Sequence, residues 1–245
     1  MFYIITMFGL LIGSFLNVVI YRVPNGESIA FPASHCPICG HDLKPYDNIP
    51  VLSYLVLGGK CRYCKTKISK QYPIIEMLTG VIFGCLYLRT GLSVKLLFEL
   101  ALASVLICVV IIDIKHEIIP NSLNLFLGVI GIGYVLITGH IQWTDALYGF
   151  LAGGGFLFLI ALVGPMGGGD IKFMAAMGLW LGLFPTVLAL LLSFISGGLI
   201  GVLLIVFKIK DRKDHIPFGP FLVFGSVIGY FFFQEFIIMY LNLVL

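Results

Sequence analysis

The stretch Phe173-Met-Ala-Ala-Met-Gly-Leu-Trp-Leu-Gly182-Leu-Phe-Pro185-Thr-Val-Leu-Ala-Leu-Leu-Leu-Ser-Phe-Ile-Ser-Gly-Gly-Leu-Ile-Gly-Val-Leu-Leu-Ile-Val-Phe207 decides the fold. Its 35 residues carry no charge. As one helix it would reach about 52 Å, whereas a bilayer core is about 30 Å thick and takes roughly 20 apolar residues per crossing. Gly182 and Pro185 offer a turn, so the stretch reads as a hairpin of two spans, 173–184 and 186–207. Outward from it, further apolar runs fall at 2–21, 73–89, 95–113, 121–138, 144–164 and 217–241. The expectation is an all-α polytopic membrane protein with about eight transmembrane helices. Composition agrees. Of 245 residues, 60% are hydrophobic and 11% charged, against about a quarter charged in soluble domains. Mean hydropathy is +1.07. A soluble globular protein, a disordered chain and a coiled coil are excluded.

The distribution of cations predicts the orientation. Phe2 to Tyr21 has no Lys or Arg ahead of it, and Arg22 follows it. The run is therefore read as a retained first span with its N-terminus outside, not as a cleavable signal peptide. Eight spans place both termini outside. Inside then fall Arg22, Lys44, Lys60, Arg62, Lys65, Lys67, Lys70, Lys115, Lys172, Lys208, Lys210, Arg212 and Lys213; outside fall only Arg89 and Lys95. The expected parts are a transmembrane helix at 1–21, a cytoplasmic CxxC…CxxC domain at 22–72, and a transmembrane part of about seven helices at 73–245.

In the polar part, Cys36-Pro-Ile-Cys39 and Cys61-Arg-Tyr-Cys64 are separated by 21 residues. Two such knuckles supply four thiolates in a tetrahedron, the pattern of a structural zinc ribbon. A segment of about 50 residues with few large apolar side chains gains from a metal staple. With four thiolates the shell is full and leaves no catalytic water. Free thiols or two redox pairs remain the alternative. His35 and His41 read as surface residues. Cys85 and Cys108 read as small core residues of apolar helices.

Asp113 ends the apolar run Val105–Ile112, and Asp170 follows Gly167-Gly168-Gly169. Both fall at the inner ends of their spans, each in the tripeptide Asp-Ile-Lys. Residues two apart on a helix point to nearly opposite faces. Lys115 and Lys172 are thus expected to reach headgroups while the acids turn inward. Each acid read singly is a helix-end marker. Together, two close carboxylates share one proton, so that one serves as general base on a water and the other as general acid. Gly167 to Gly169 are expected to leave backbone that an extended peptide can approach, or else to serve close helix packing. Asn17 and Glu76 read as helix-packing partners, with Glu76 the better candidate for a substrate amine. Pro120-Asn121 and Pro217-Phe218-Gly219-Pro220 read as helix starts, and Lys208–Lys213 as a lipid-attracting loop.

The order of these motifs resembles the bacterial type IV prepilin peptidases (leader peptidase/N-methyltransferases, aspartic membrane proteases of the GxGD kind). The resemblance rests on Gly13-Ser-Phe-Leu-Asn-Val-Val-Ile-Tyr-Arg22, the two knuckles and Tyr72-Pro-Ile-Ile-Glu76. It continues through Asp113, Ile119-Pro120-Asn121, Gly167-Gly-Gly-Asp170-Ile-Lys172 and Pro217-Phe-Gly-Pro-Phe221. It implies a bacterial inner-membrane endopeptidase with Asp113 and Asp170 as the catalytic pair. Gly167, Gly169, Lys172 and Glu76 would lie around the substrate. Its substrates would be prepilins and pseudopilins, cut after a glycine at the cytoplasmic face. N-methylation of the new terminus with S-adenosylmethionine and zinc on Cys36, Cys39, Cys61 and Cys64 are implied as well. No nucleic-acid partner is expected. No Gly-x-Gly-x-x-Gly fingerprint for the methyl donor occurs in the chain.

Three rivals suit part of the pattern. A transporter would use both acids as ion sites, but they sit at one face instead of the midplane. A presenilin-type protease shares Gly-x-Gly-Asp but has a Tyr before its first Asp, where this chain has Ile112, and lacks a CxxC domain. An assembly scaffold would leave the acids inert.

Overall fold

The computed structural model describes residues 1–164, 166–209, 211 and 216–244, the side chains of 240, 241, 243 and 244 excepted. Among them lie nine α-helices: α1 (Phe2–Arg22), α2 (Leu52–Val56), α3 (Gln71–Thr90), α4 (Val94–His116), α5 (Asn121–Thr138), α6 (Trp143–Val163), α7 (Gly168–Leu181), α8 (Leu183–Val206) and α9 (Gly219–Val244). Seven are long and apolar enough to cross a membrane; α2 and α7 are the shorter two. The protein is a multi-pass membrane protein, and α7 is the eighth element of the expected set. The chain divides into two units, Met1–Cys108 and Val109–Leu245, with the boundary inside α4.

In the first unit α1 packs on α3. The contact is made through glycines: a Cβ on Gly9 would lie 2.8 Å from the Gly80 Cα, and one on Gly13 would lie 2.7 Å from the Glu76 Cα. Lipid tails are as apolar as leucine, so spanning helices associate by such close approach instead of by hydrophobic exclusion. Asn17 is buried and bridges the pair, its Nδ2 donating to the carbonyls of Gly13 and Tyr72 at 3.2 Å each. The reading of Asn17 as a packing partner stands.

In the second unit α7 lies against α5, α6, α8 and α9. Phe173, Met174, Met177 and Trp180 are fully buried. Enclosure by other helices explains how fourteen residues, about 21 Å of helix, can sit inside the bundle. The α6–α7 contact is tighter still: a Cβ on Gly149 would overlap the carbonyl of Gly178, and one on Gly178 would overlap that of Gly149.

Several expectations need correction. The hairpin turns at Gly182 as read, at φ +77°, with Pro185 inside the first turn of α8. Its first arm, however, starts at Gly168 and not at 173. The first turn of a helix favours acidic residues, so Asp170 belongs to α7 instead of preceding it. Cys108 is buried as expected, but Cys85 is exposed on α3. The 22–72 segment is not poor in large apolar residues; Phe31, Ile38, Leu55 and Val56 all lie on its surface. Lys210, Arg212 and Lys213 of the expected basic loop lie outside the described residues.

Candidate active site

Asp113 lies in the last turn of α4 and is 4% exposed. Its Oδ2 accepts the backbone N–H of Gly219 at 2.7 Å. Gly219 is the first residue of α9, and the first N–H groups of a helix have no partner within it. They are also the positive end of the helix dipole, which favours an anion. A Cβ on Gly219 would fall 2.7 Å from that same oxygen. The reading of Pro217–Pro220 as only a helix start missed this. Its signal was present in the residue types: glycine admits a carboxylate to a helix start, and proline after it has no N–H to compete.

Asp170 is half-buried in the first turn of α7. The Gly167 backbone lies beside its carboxyl, and the two carboxyls of Asp113 and Asp170 lie within Coulombic reach of one another. The first turn of α7 is clamped from the α4–α5 side. Gly169 abuts Ile119, where a Cβ would lie 2.9 Å from the Ile119 carbonyl. Asn124 of α5 donates from Nδ2 to the Gly169 carbonyl at 3.0 Å, and Lys172 donates from Nζ to Asn121 Oδ1 at 2.8 Å. Asn124 is 5% exposed and its Oδ1 has no partner among the described residues.

This geometry corrects two expectations. The space beside Gly169 is filled by the chain's own Ile119, so that backbone is not open to a substrate strand; Gly168 is the glycine with nothing within 4 Å. Lys172, though exposed, is held by Asn121 instead of extending to headgroups. Gly167 lies beside the Asp170 carboxyl. Glu76 belongs to the first unit, where Oε2 accepts the Val51 N–H at 2.8 Å. Asn124 and Gly219 are the residues that sequence reasoning did not single out for the site.

The cysteines form a second constellation. Their four Sγ atoms lie within 4.8 Å of one another, with Cys36 and Cys64 at 3.8 Å. A tetrahedron with Zn–S of about 2.3 Å needs sulfurs about 3.8 Å apart, so the donor set fits the ion. The two knuckles repeat one backbone design. Cys36 N–H donates to His41 and Cys61 N–H to Thr66, while Gly40 and Lys65 donate back to Cys36 and Cys61. Gly40 and Lys65 occupy equivalent positions and both have positive φ, +67° and +59°. The hydrogen bond between Cys64 and the Thr66 side chain pulls the Cys64 thiol down to about 6. A thiolate is the form a metal takes. His35 and His41 are exposed, as read.

The chain was compared with known proteins. Residues 7–90 match the profile of the bacterial peptidase A24 N-terminal domain, and residues 100–202 that of the type IV leader peptidase family. The chain is 34% identical to the prepilin leader peptidase/N-methyltransferase of Bacillus subtilis, over 99% of this chain and 98% of the relative. It is 38% identical to the protein of that name from Neisseria gonorrhoeae, over 87% and 84% respectively. The Legionella pneumophila protein of that name is 33% identical, over 99% and 95%. No solved structure matches. With similarity running from the first helix to the last, and both domain profiles in order, the chain belongs to the bacterial type IV leader peptidase family.

Proposed function

We propose that this protein is a membrane aspartic endopeptidase that removes the short basic leader of type IV prepilins and pseudopilins after a glycine, and that it N-methylates the new terminus. The observation that carries the reading is the placement of Asp113 and Asp170 at helix ends, in mutual reach, with Asp113 held by a backbone hydrogen bond.

Two carboxyls so placed hold one proton between them. One takes a proton from a water, which attacks the carbonyl carbon of the scissile bond. The other gives its proton to the leaving nitrogen. The Gly219 N–H fixes the Asp113 carboxyl in orientation, and the Gly167 backbone lies beside that of Asp170. Glycine at 168 leaves room for substrate backbone beside the pair. S-adenosylmethionine supplies the methyl group for the second reaction.

The 22–72 segment is a zinc-stapled cytoplasmic domain in this reading, with Cys36, Cys39, Cys61 and Cys64 as ligands. Residues 1–21 are the first span, and 73–245 hold the peptidase. Both termini face outside in the bacterial inner membrane, a reading supported by the thirteen cations on one side against two on the other. A prepilin's leader precedes an apolar helix, so its scissile bond lies at the inner interface, the level at which both acids are placed.

Mass spectrometry of a purified prepilin incubated with the enzyme, with and without S-adenosylmethionine, tests this. Leader loss after glycine, with a methyl mass only when the donor is present, is the expected result. An uncut substrate with folded enzyme would overturn the peptidase reading and return the acid pair to a transport role.

A further inference from the structure

The segment between α1 and α3 leaves apolar side chains uncovered. Leu52, Leu55 and Val56 of α2 are 58%, 65% and 80% exposed. At 100° per residue they share an arc of about 100° on the helix. The remaining two residues turn inward: Ser53 Oγ donates to the Tyr46 carbonyl at 2.7 Å, and the Tyr54 ring lies over Gly59. Ile49, just ahead of the helix, is exposed as well. This is a short amphipathic element whose apolar side is mostly uncovered.

One bond ties its start to α3. Val51 precedes α2 at φ +62°, ψ −49°, and the Leu52 N–H reaches back to the Pro50 carbonyl at 2.6 Å. Such a γ-turn is strained, and more so at a β-branched residue. The buried Glu76 carboxyl takes the freed Val51 N–H. Glu76 is five residues into α3, about 7–8 Å along its axis. Opposite it stands Gly13 of α1, about 13 Å of helix before Arg22. At that level α1 and α3 expose Leu11, Phe15, Ile74 and Met77. Apolar side chains on the outside of spanning helices face lipid. The start of α2 is therefore level with lipid-facing side chains and not above them in water. The exposed Lys60, Lys65, Lys67 and Lys70 follow, with stems that let ammonium groups reach phosphate.

We propose that α2 is an interfacial helix that inserts Leu52, Leu55 and Val56 among the acyl chains of the membrane spanned by α1 and α3. The trailing lysines meet anionic headgroups, and the cysteine cluster is thereby held against the bilayer surface. The inference rests on the membrane architecture and not on the peptidase chemistry. A Leu55→Trp variant, in a Trp143→Phe background that keeps the buried Trp180, is reconstituted in vesicles of phosphatidylglycerol and phosphatidylcholine. A Val56→Trp variant runs in parallel, in case one position perturbs folding. The added emission is expected to be blue-shifted. It should lose most of its intensity when the phosphatidylcholine carries bromine near the ester end of its acyl chains. Quenching by aqueous acrylamide without quenching by brominated lipid would overturn the proposal, placing α2 in water. Protection from both quenchers would overturn it too, placing protein over the helix.

Discussion

The cysteine knuckles and the first turn of α7 hold their chemical groups in opposite ways. Each knuckle is closed by bonds between residues nine or fewer apart, and the pair is joined by what four sulfurs can share. Around the two acids, hydrogen bonds come from far along the chain: Asn124 is 45 residues from Gly169, Lys172 is 51 from Asn121, and Gly219 is 106 from Asp113. The first arrangement is locally specified and suits a metal ion. The second is held by the packing of the bundle. Damage should therefore stay local in the first and spread in the second.

The sharpest break of the second arrangement is chemical. Asp113→Asn or Asp170→Asn leaves the packing but cannot share a proton. Leader cleavage should fall by roughly 10²–10⁴-fold, the range for a lost acid or base. Mass spectrometry of the prepilin reads the loss, and circular dichroism should show unchanged helix content. Next is Gly178→Ala. Its methyl would meet the Gly149 carbonyl, and overpacking of this kind costs about 1–3 kcal/mol. Thermal unfolding in detergent should move down and cleavage should fall with it, while zinc content stays the same. If cleavage survives with a lowered midpoint, the α6–α7 contact does not position Asp170.

Metal removal probes the other side. A chelator should raise amide exchange at 34–43 and 59–68 and leave α5 to α7 protected. Exchange that rises equally in both regions would erase the contrast. The smallest effect belongs to Asn124→Leu. It removes the bond to Gly169 together with a buried oxygen that has no partner, two terms that offset to within about 1 kcal/mol. Unfolding should barely move, whereas turnover should drop because the first turn of α7 loses its tie to α5. Unchanged turnover would remove Asn124 from the site.

The same contrast explains what was legible in the sequence. The knuckles were readable in full, because four cysteines at fixed spacing leave little to tertiary context. The eight apolar runs were readable because bilayer thickness sets their length, and Gly182 because thirty-five uncharged residues must turn. The start of α7 was misplaced by five residues, since the uncharged run was taken as the span, whereas the helix also takes in Asp170 and Lys172 as its first turn. Gly169 was read as open; its neighbour Ile119 lies 50 residues back, and no local pattern announces it. Nothing near Val51 signals a positive φ at a β-branched residue. The Val51 N–H is taken by Glu76, 25 residues away.

The bond from Gly219 to Asp113 has a consequence for how the protein is made. A membrane protein is threaded into the bilayer helix by helix as it is synthesised. When α7 has emerged, the nascent chain already contains both carboxyls, yet the amide that orients the first of them has not been translated. Only after α9 begins does Asp113 receive its donor. Partly made chains would thus carry the acids without the finished arrangement, and the timing of translation itself would delay proteolysis until the bundle has closed.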